Sequence, residues 1–71
     1  MKTSLESRYD LALDMIQGGA TFQETVNAEV LSVSEAEKLR LSYQRIRSNR
    51  TLLGLKTDED IRNAVKGDLE L

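Results

Sequence analysis

The residues with the most evident chemical potential are the basic side chains in the middle of the chain. Residues 38–57 contain six Lys or Arg and no Asp or Glu, so this stretch carries a net charge of +6. Residues 1–37 hold two basic and seven acidic residues, a net −5, and residues 58–71 hold two basic and five acidic, a net −3. Such segregation creates a local positive field that attracts polyanions. The six basic residues are Lys38, Arg40, Arg45, Arg47, Arg50 and Lys56.

Two structural roles would explain the same basic residues. Basic side chains in the last turns of a helix complement the negative end of its dipole, and acidic ones such as Glu35 and Glu37 do the same at its start. Long basic side chains also pair with acidic helices of the same domain. Both roles remain open beside polyanion binding.

The residue types that most catalytic and metal chemistry needs are missing. The chain has no Cys and no His, which excludes thiolate and imidazole metal sites and the usual base for an activated serine. The run Asp58-Glu59-Asp60 lacks the ligand spacing of a calcium loop and suits the start of a helix. Gly18-Gly19 is too short to cradle a phosphate. We therefore expect neither an enzyme nor a bound cofactor or metal.

Composition and periodicity predict one all-α domain of 71 residues. The chain has no Pro and only three aromatic residues, which favours helices over a sheet. Apolar residues recur at helical spacing in four segments, each preceded by Ser or Thr with an acidic residue three positions later, which is the capping-box pattern. These segments predict helices over 4–17, from about Phe22, over 34–50, and from about Asp58 until Gly67.

The cap residues and core stripes of these helices follow from the same spacing. The boxes begin at Thr3, Thr21, Ser34 and Thr57, Gly18-Gly19 ends the first helix, and the third helix is expected to end between Asn49 and Gly54. The expected core residues are Leu5, Tyr9, Ala12, Leu13 and Ile16, then Phe22, Val26 and Val30, then Ala36, Leu39, Tyr43 and Ile46, and finally Ile61, Ala64 and Val65.

Two leucines lie off the core stripe of the third helix. Leu41 and Leu52 fall on its far side, where a homodimer or another protein partner would cover them. Two scattered surface leucines with no role are the alternative. The sequence has neither an apolar run long enough to span a membrane nor an export leader, so we expect a cytoplasmic protein with no membrane partner.

The face of the third helix opposite its core stripe carries several long polar and basic side chains. Arg40 and Arg47 flank this face, which holds Ser34, Glu37, Lys38, Leu41, Gln44, Arg45 and Ser48. Guanidinium, amide and hydroxyl groups can form hydrogen bonds with phosphates or with base edges. Arg50 falls on the core line, so either its stem snorkels or the helix has already ended there.

The order of these elements resembles that of helix-turn-helix DNA-binding domains, of the kind found in small phage or mobile-element regulators. The stretch Ala28-Glu29-Val30-Leu31-Ser32-Val33-Ser34 is similar to the family pattern of a small residue, a hydrophobic residue, a turn glycine, a hydrophobic residue and a serine. The chain departs from that pattern at Asn27, at Ser32 in the glycine position, and at Lys38 where an apolar residue is common.

This resemblance implies a three-helix helix-turn-helix over about 22–50 with a short fourth C-terminal helix packed against it or used in a dimer. The third helix would then lie in the major groove of duplex DNA. Base-facing residues would be Ser34, Lys38, Ser42 and Arg45, phosphate contacts would be Arg40, Arg47, Arg50 and Lys56, and Gln44 would serve either purpose.

Two functions of different classes follow from the sequence. The first is a DNA-binding transcriptional regulator, expected as a homodimer, that reads duplex DNA with helix 34–50. The second is a small adaptor or inhibitor that docks its Leu41 and Leu52 face, or its acidic ends, onto a larger partner such as a polymerase or a nucleic-acid enzyme. Single-strand recognition fits less well, because Tyr43 is the one aromatic residue in the basic segment and it belongs to the core stripe.

Overall fold

Four α-helices make up the fold. The computed structural model describes residues 4–71, and within that range it contains α1 (Leu5–Gln17), α2 (Phe22–Asn27), α3 (Val33–Ser48) and α4 (Asp58–Asp68) and no strand. The predicted all-α class is therefore confirmed. The chain divides into two compact units, the first ending at Glu37 and the second spanning Lys38–Leu71, with the boundary inside α3.

Side-chain caps begin all four helices. Capping boxes join Thr21 to Glu24 before α2 and Thr57 to Asp60 before α4, as predicted. The box of α3 is Ser32 with Glu35, two residues earlier than the predicted Ser34 with Glu37: the Glu35 amide donates to Ser32 Oγ over 3.2 Å, and the Ser32 amide donates to Glu35 Oε1 over 2.9 Å. Ser4 caps α1 by accepting from the Ser7 amide, and the predicted cap Thr3 lies outside the described residues.

Residues with left-handed backbone lie two positions after the ends of α1, α2 and α4, and a fourth ends the turns that follow α3. These residues are Gly19 (φ 107°), Glu29 (φ 59°), Gly54 (φ 71°) and Glu70 (φ 59°). After each one the next amide reaches five residues back, as Ala20 does to the Met15 carbonyl and Val30 to that of Thr25, which is the Schellman arrangement.

Two predicted helix ends need correction. Gly67 does not stop α4, which continues to Asp68, because the residue that takes the left-handed conformation is Glu70. Helix α3 ends at Ser48, one residue before the predicted interval, and hydrogen-bonded turns carry the chain from there to Gly54.

The predicted core residues are largely those that the structure buries. In the first unit Tyr9, Ala12, Leu13, Leu31 and Ala36 are buried, and in the second unit Leu39, Tyr43, Ile46, Ile61 and Val65. Leu5 is 46% exposed and was wrongly assigned to the core, because it is the first residue of α1.

Helix α2 buries a residue that its apolar stripe does not include. Thr25 is fully buried, whereas Phe22, Val26 and Val30 are only half-buried. The Thr25 hydroxyl donates to the Phe22 carbonyl over 2.6 Å, so its burial leaves no unsatisfied donor.

None of the helices within residues 4–71 combines the length and the apolar composition that a membrane span requires.

We predict that Glu29→Gly stabilises the fold by about 1 kcal/mol, because glycine adopts positive φ without the steric cost that a Cβ imposes. Thermal melting measures the change. Glu29→Ala is the matched control, since it removes the same charge but keeps the Cβ, and we expect it to gain nothing. Equal stabilisation by both substitutions would show that charge, not backbone strain, matters at this position.

Candidate functional site

The second unit exposes most of the basic segment. Lys38, Arg47, Arg50 and Lys56 are all exposed, and no acidic residue occurs between residues 38 and 57. Arg47 and Arg50 line a depression of the surface together with three polar residues, Gln44, Ser48 and Thr51. A guanidinium pair beside hydroxyl and amide groups is a suitable environment for an oxyanion.

The turn after α3 holds the end of this segment in a defined conformation. The Asn49 side chain donates to the Arg45 carbonyl over 2.8 Å. The Leu53 amide donates to the Asn49 carbonyl over 3.0 Å, and the Leu55 amide to that of Arg50 over 2.8 Å. Because the helix has ended before Arg50, its side chain is exposed, which decides between the two interpretations of this residue.

Arg45 has an acidic partner inside the second unit. Its Nη2 lies 2.5 Å from Oδ2 of Asp68 at the end of α4, and the two side chains are 61% and 36% exposed. One of the predicted base-facing residues is thus engaged in an ion pair with the last helix, as one of the structural roles anticipated. Asp68 lies 23 positions from Arg45, so no local sequence pattern marks it as the partner.

Ser42 does not lie on the exposed face of α3, contrary to the prediction that it faces a base. It is 4% exposed, and its hydroxyl donates to Asp68 Oδ2 over 2.7 Å. Ser42 comes one helical turn before Ile46 and directly precedes Tyr43, both buried, so it lies at the edge of the core stripe.

The remaining predicted site residues are spread over α3. Arg40 Nη1 donates to Gln44 Oε1 over 3.3 Å, one turn further along the helix. Ser34 is exposed but belongs to the first unit, so we consider it apart from the basic segment. Each residue's contact with nucleic acid stays a prediction.

Exposed leucines accompany the basic residues of the second unit. Leu41 is 55% exposed and Leu52 is 87% exposed, in agreement with their predicted position off the core. Leu53 is also 55% exposed. The helical wheel missed it, because residues 49–54 form turns rather than a continuation of α3.

The first unit contains a bidentate ion pair that was not expected from the sequence. Arg8 Nη1 donates to Glu35 Oε1 over 2.6 Å and Nη2 donates to Oε2 over 2.8 Å. This pairing, followed by the hydrogen bond from the Ser32 amide, lowers the pKa of Glu35 from 4.5 to about 2. The available signal was an arginine one helical turn before the buried Ala12, since a charge at the edge of a core stripe is favoured by an acidic partner.

The acidic run at the start of α4 serves the helix itself. Asp60 accepts from the amides of Lys56 and Thr57 over 3.0 and 3.2 Å, and these two bonds lower the pKa of its carboxyl. Within residues 4–71 no group of three or more acidic side chains is arranged to hold a metal ion.

Comparisons with protein-family models, curated proteins and solved structures give no match for this chain.

We predict that the Arg8–Glu35 pair makes stability depend on pH in the acid range. The folded-state pKa of Glu35 is about 2 and its ordinary value is 4.5. The stabilisation that its ionised carboxylate gives the fold is therefore complete above pH 4.5 and is lost as the pH falls towards 2. Melting temperatures of the parent should therefore fall more steeply over this range than those of Glu35→Gln, which keeps a side chain that can cap α3. Parallel curves for the two proteins would contradict the prediction.

Proposed function

We propose that this chain binds duplex DNA through α3 from Lys38 onwards and the turn that follows it. The observation that supports the proposal is the set of exposed cations Lys38, Arg47, Arg50 and Lys56 in a segment without acidic residues. Phosphate neutralisation by such side chains supplies most of the non-specific affinity for DNA. The hydrogen-bonded turn limits the conformational entropy that these residues would lose on binding.

The exposed cations have different roles in the proposed complex. Arg47, Arg50 and Lys56 contact backbone phosphates and position the protein without specifying sequence. Lys38 and Gln44 lie nearer the middle of α3, and their amine and amide groups contact base edges in the major groove. Gln44 would exchange its bond with Arg40 for one with a base.

Transcriptional regulation is the biological role that we propose for this binding. It rests on the resemblance to helix-turn-helix regulators, in which a basic third helix reads the operator. We propose a homodimer as the binding form, with Leu52 as the contact residue, because Leu41 lies between Lys38 and Gln44 on the face that meets DNA. The 87% exposure of Leu52 leaves apolar surface that a second copy would remove from water.

A protein-binding adaptor is the second candidate, and the exposed leucines favour it. Leu41, Leu52 and Leu53 are each more than half exposed within the second unit, and exposed apolar surface in a segment that also carries arginine fits a protein interface, where arginine is enriched. In this case the basic residues would surround an apolar contact and select an acidic partner protein.

The salt dependence of duplex binding tests the main proposal. If Arg47, Arg50 and Lys56 each neutralise one phosphate, log K falls with log salt at a slope of about −2.7 for a monomer and about −5 for a dimer. Between 50 and 200 mM salt the affinity should then drop about 40-fold or about 10³-fold. Mobility shifts give the slope, and sedimentation gives the mass of the bound species.

Arg47→Gln should make the slope shallower by about 0.9 for a monomer or about 1.8 for a dimer, because one phosphate contact is lost in each protomer. Arg62→Gln on α4 is the matched control, since it removes the same group outside the basic segment, and it should leave the slope unchanged. Duplex binding that is weak at every salt concentration would exclude the DNA-binding role. If Leu52→Glu then abolished binding to an acidic protein partner, the adaptor function would be favoured over the DNA-binding function.

A further inference from the structure

One carboxylate oxygen joins two side chains of α3 to the end of α4. Oδ2 of Asp68 accepts the Ser42 hydroxyl over 2.7 Å and lies 2.5 Å from Nη2 of Arg45. Ser42 and Arg45 are three positions apart on the helix, so their side chains project from neighbouring turns towards the same oxygen. Asp68 thus occupies the position that an external anion would take beside Arg45.

The two bonds to Asp68 differ in how easily they exchange. Ser42 is buried, so its hydroxyl has no access to a large ligand and keeps the carboxylate in place. The Arg45 side chain is 61% exposed, so its guanidinium can turn towards a ligand on the surface. Guanidinium groups bind phosphate and carboxylate oxygens with similar geometry, and a DNA phosphate can therefore replace Asp68 as the partner of Arg45.

We propose that Asp68 is an autoinhibitory residue that competes with the phosphates of duplex DNA for Arg45. This inference rests on the proposed function and deepens it by naming Arg45 as a phosphate contact that the protein's own carboxylate restrains. Ser42 is a positioning residue in this arrangement, because it fixes the competing carboxylate and does not meet the DNA.

Asp68→Asn tests the competition directly. The amide oxygen still accepts the Ser42 hydroxyl, but the charge that holds Arg45 is removed. Glu59→Gln is the matched control, because it makes the same change in net charge at an exposed position in the first turn of α4. At about 100 mM salt, Asp68→Asn should bind duplex about two- to fivefold more tightly than Glu59→Gln, the range expected for release of an exposed ion pair.

Two further readouts separate competition from a general gain in positive charge. The slope of log K against log salt should become steeper in Asp68→Asn by about 0.9 for a monomer or about 1.8 for a dimer, because Arg45 of each protomer now neutralises a phosphate. The gain should also disappear when Arg45→Gln is combined with Asp68→Asn, since the effect acts through Arg45. Equal affinity and slope for Asp68→Asn and Glu59→Gln, or a gain that persists without Arg45, would overturn the inference while duplex binding by the parent sustains the proposed function.

A simple polyanion makes the result independent of DNA. Inorganic tripolyphosphate is titrated against the parent and Asp68→Asn while the side-chain NMR signal of Arg45 is followed. If no duplex is bound but Asp68→Asn binds tripolyphosphate more tightly through Arg45, the competition stands and the proposed function fails. If neither ligand responds to the substitution, the inference is overturned. Ser42→Ala, which frees the carboxylate from its buried anchor, should give a smaller gain in the same direction if Asp68→Asn melts too early for use.

Discussion

The carboxylate of Glu35 is the group on which the first unit most depends. It accepts the Ser32 amide and so completes the cap that begins α3, and both of its oxygens accept from Arg8 on α1. One side chain therefore fixes where α3 starts and how it meets α1. The Tyr9 hydroxyl donates to the backbone carbonyl of Glu35 over 3.4 Å, which adds a further contact between α1 and the start of α3.

Acidic and basic residues have different structural uses in this chain. The carboxylates of Glu24, Glu35 and Asp60 each accept from backbone amides at a helix start, where the helix dipole favours negative charge. In the second unit Lys38, Arg47, Arg50 and Lys56 are exposed, whereas Arg40 bonds Gln44 and Arg45 pairs with Asp68. Part of the charge segregation in the sequence thus reflects carboxylates that cap helices and cations that remain exposed.

Local rules recovered the helices and most of the core, and they failed where two local patterns compete or where distant residues meet. Ser32 with Glu35 and Ser34 with Glu37 match the capping box equally well, and the contact of Glu35 with Arg8 favours the first. Gly67 is the expected stop of α4, yet Glu70 takes the left-handed position. The burial of Ser42 against Asp68 joins residues 26 positions apart, which no helical spacing predicts.

The hydrogen-bonded turn at residues 49–55 has a consequence for proteolysis. Arg47 and Arg50 are exposed next to a segment between helices, which by sequence alone is a site for a trypsin-like enzyme. Such enzymes bind their substrates as extended backbone, whereas here the amides of Leu53 and Leu55 are bonded back to Asn49 and Arg50. Cleavage therefore requires the turn to open first, and its rate reports the free energy of that local opening rather than the exposure of the arginines.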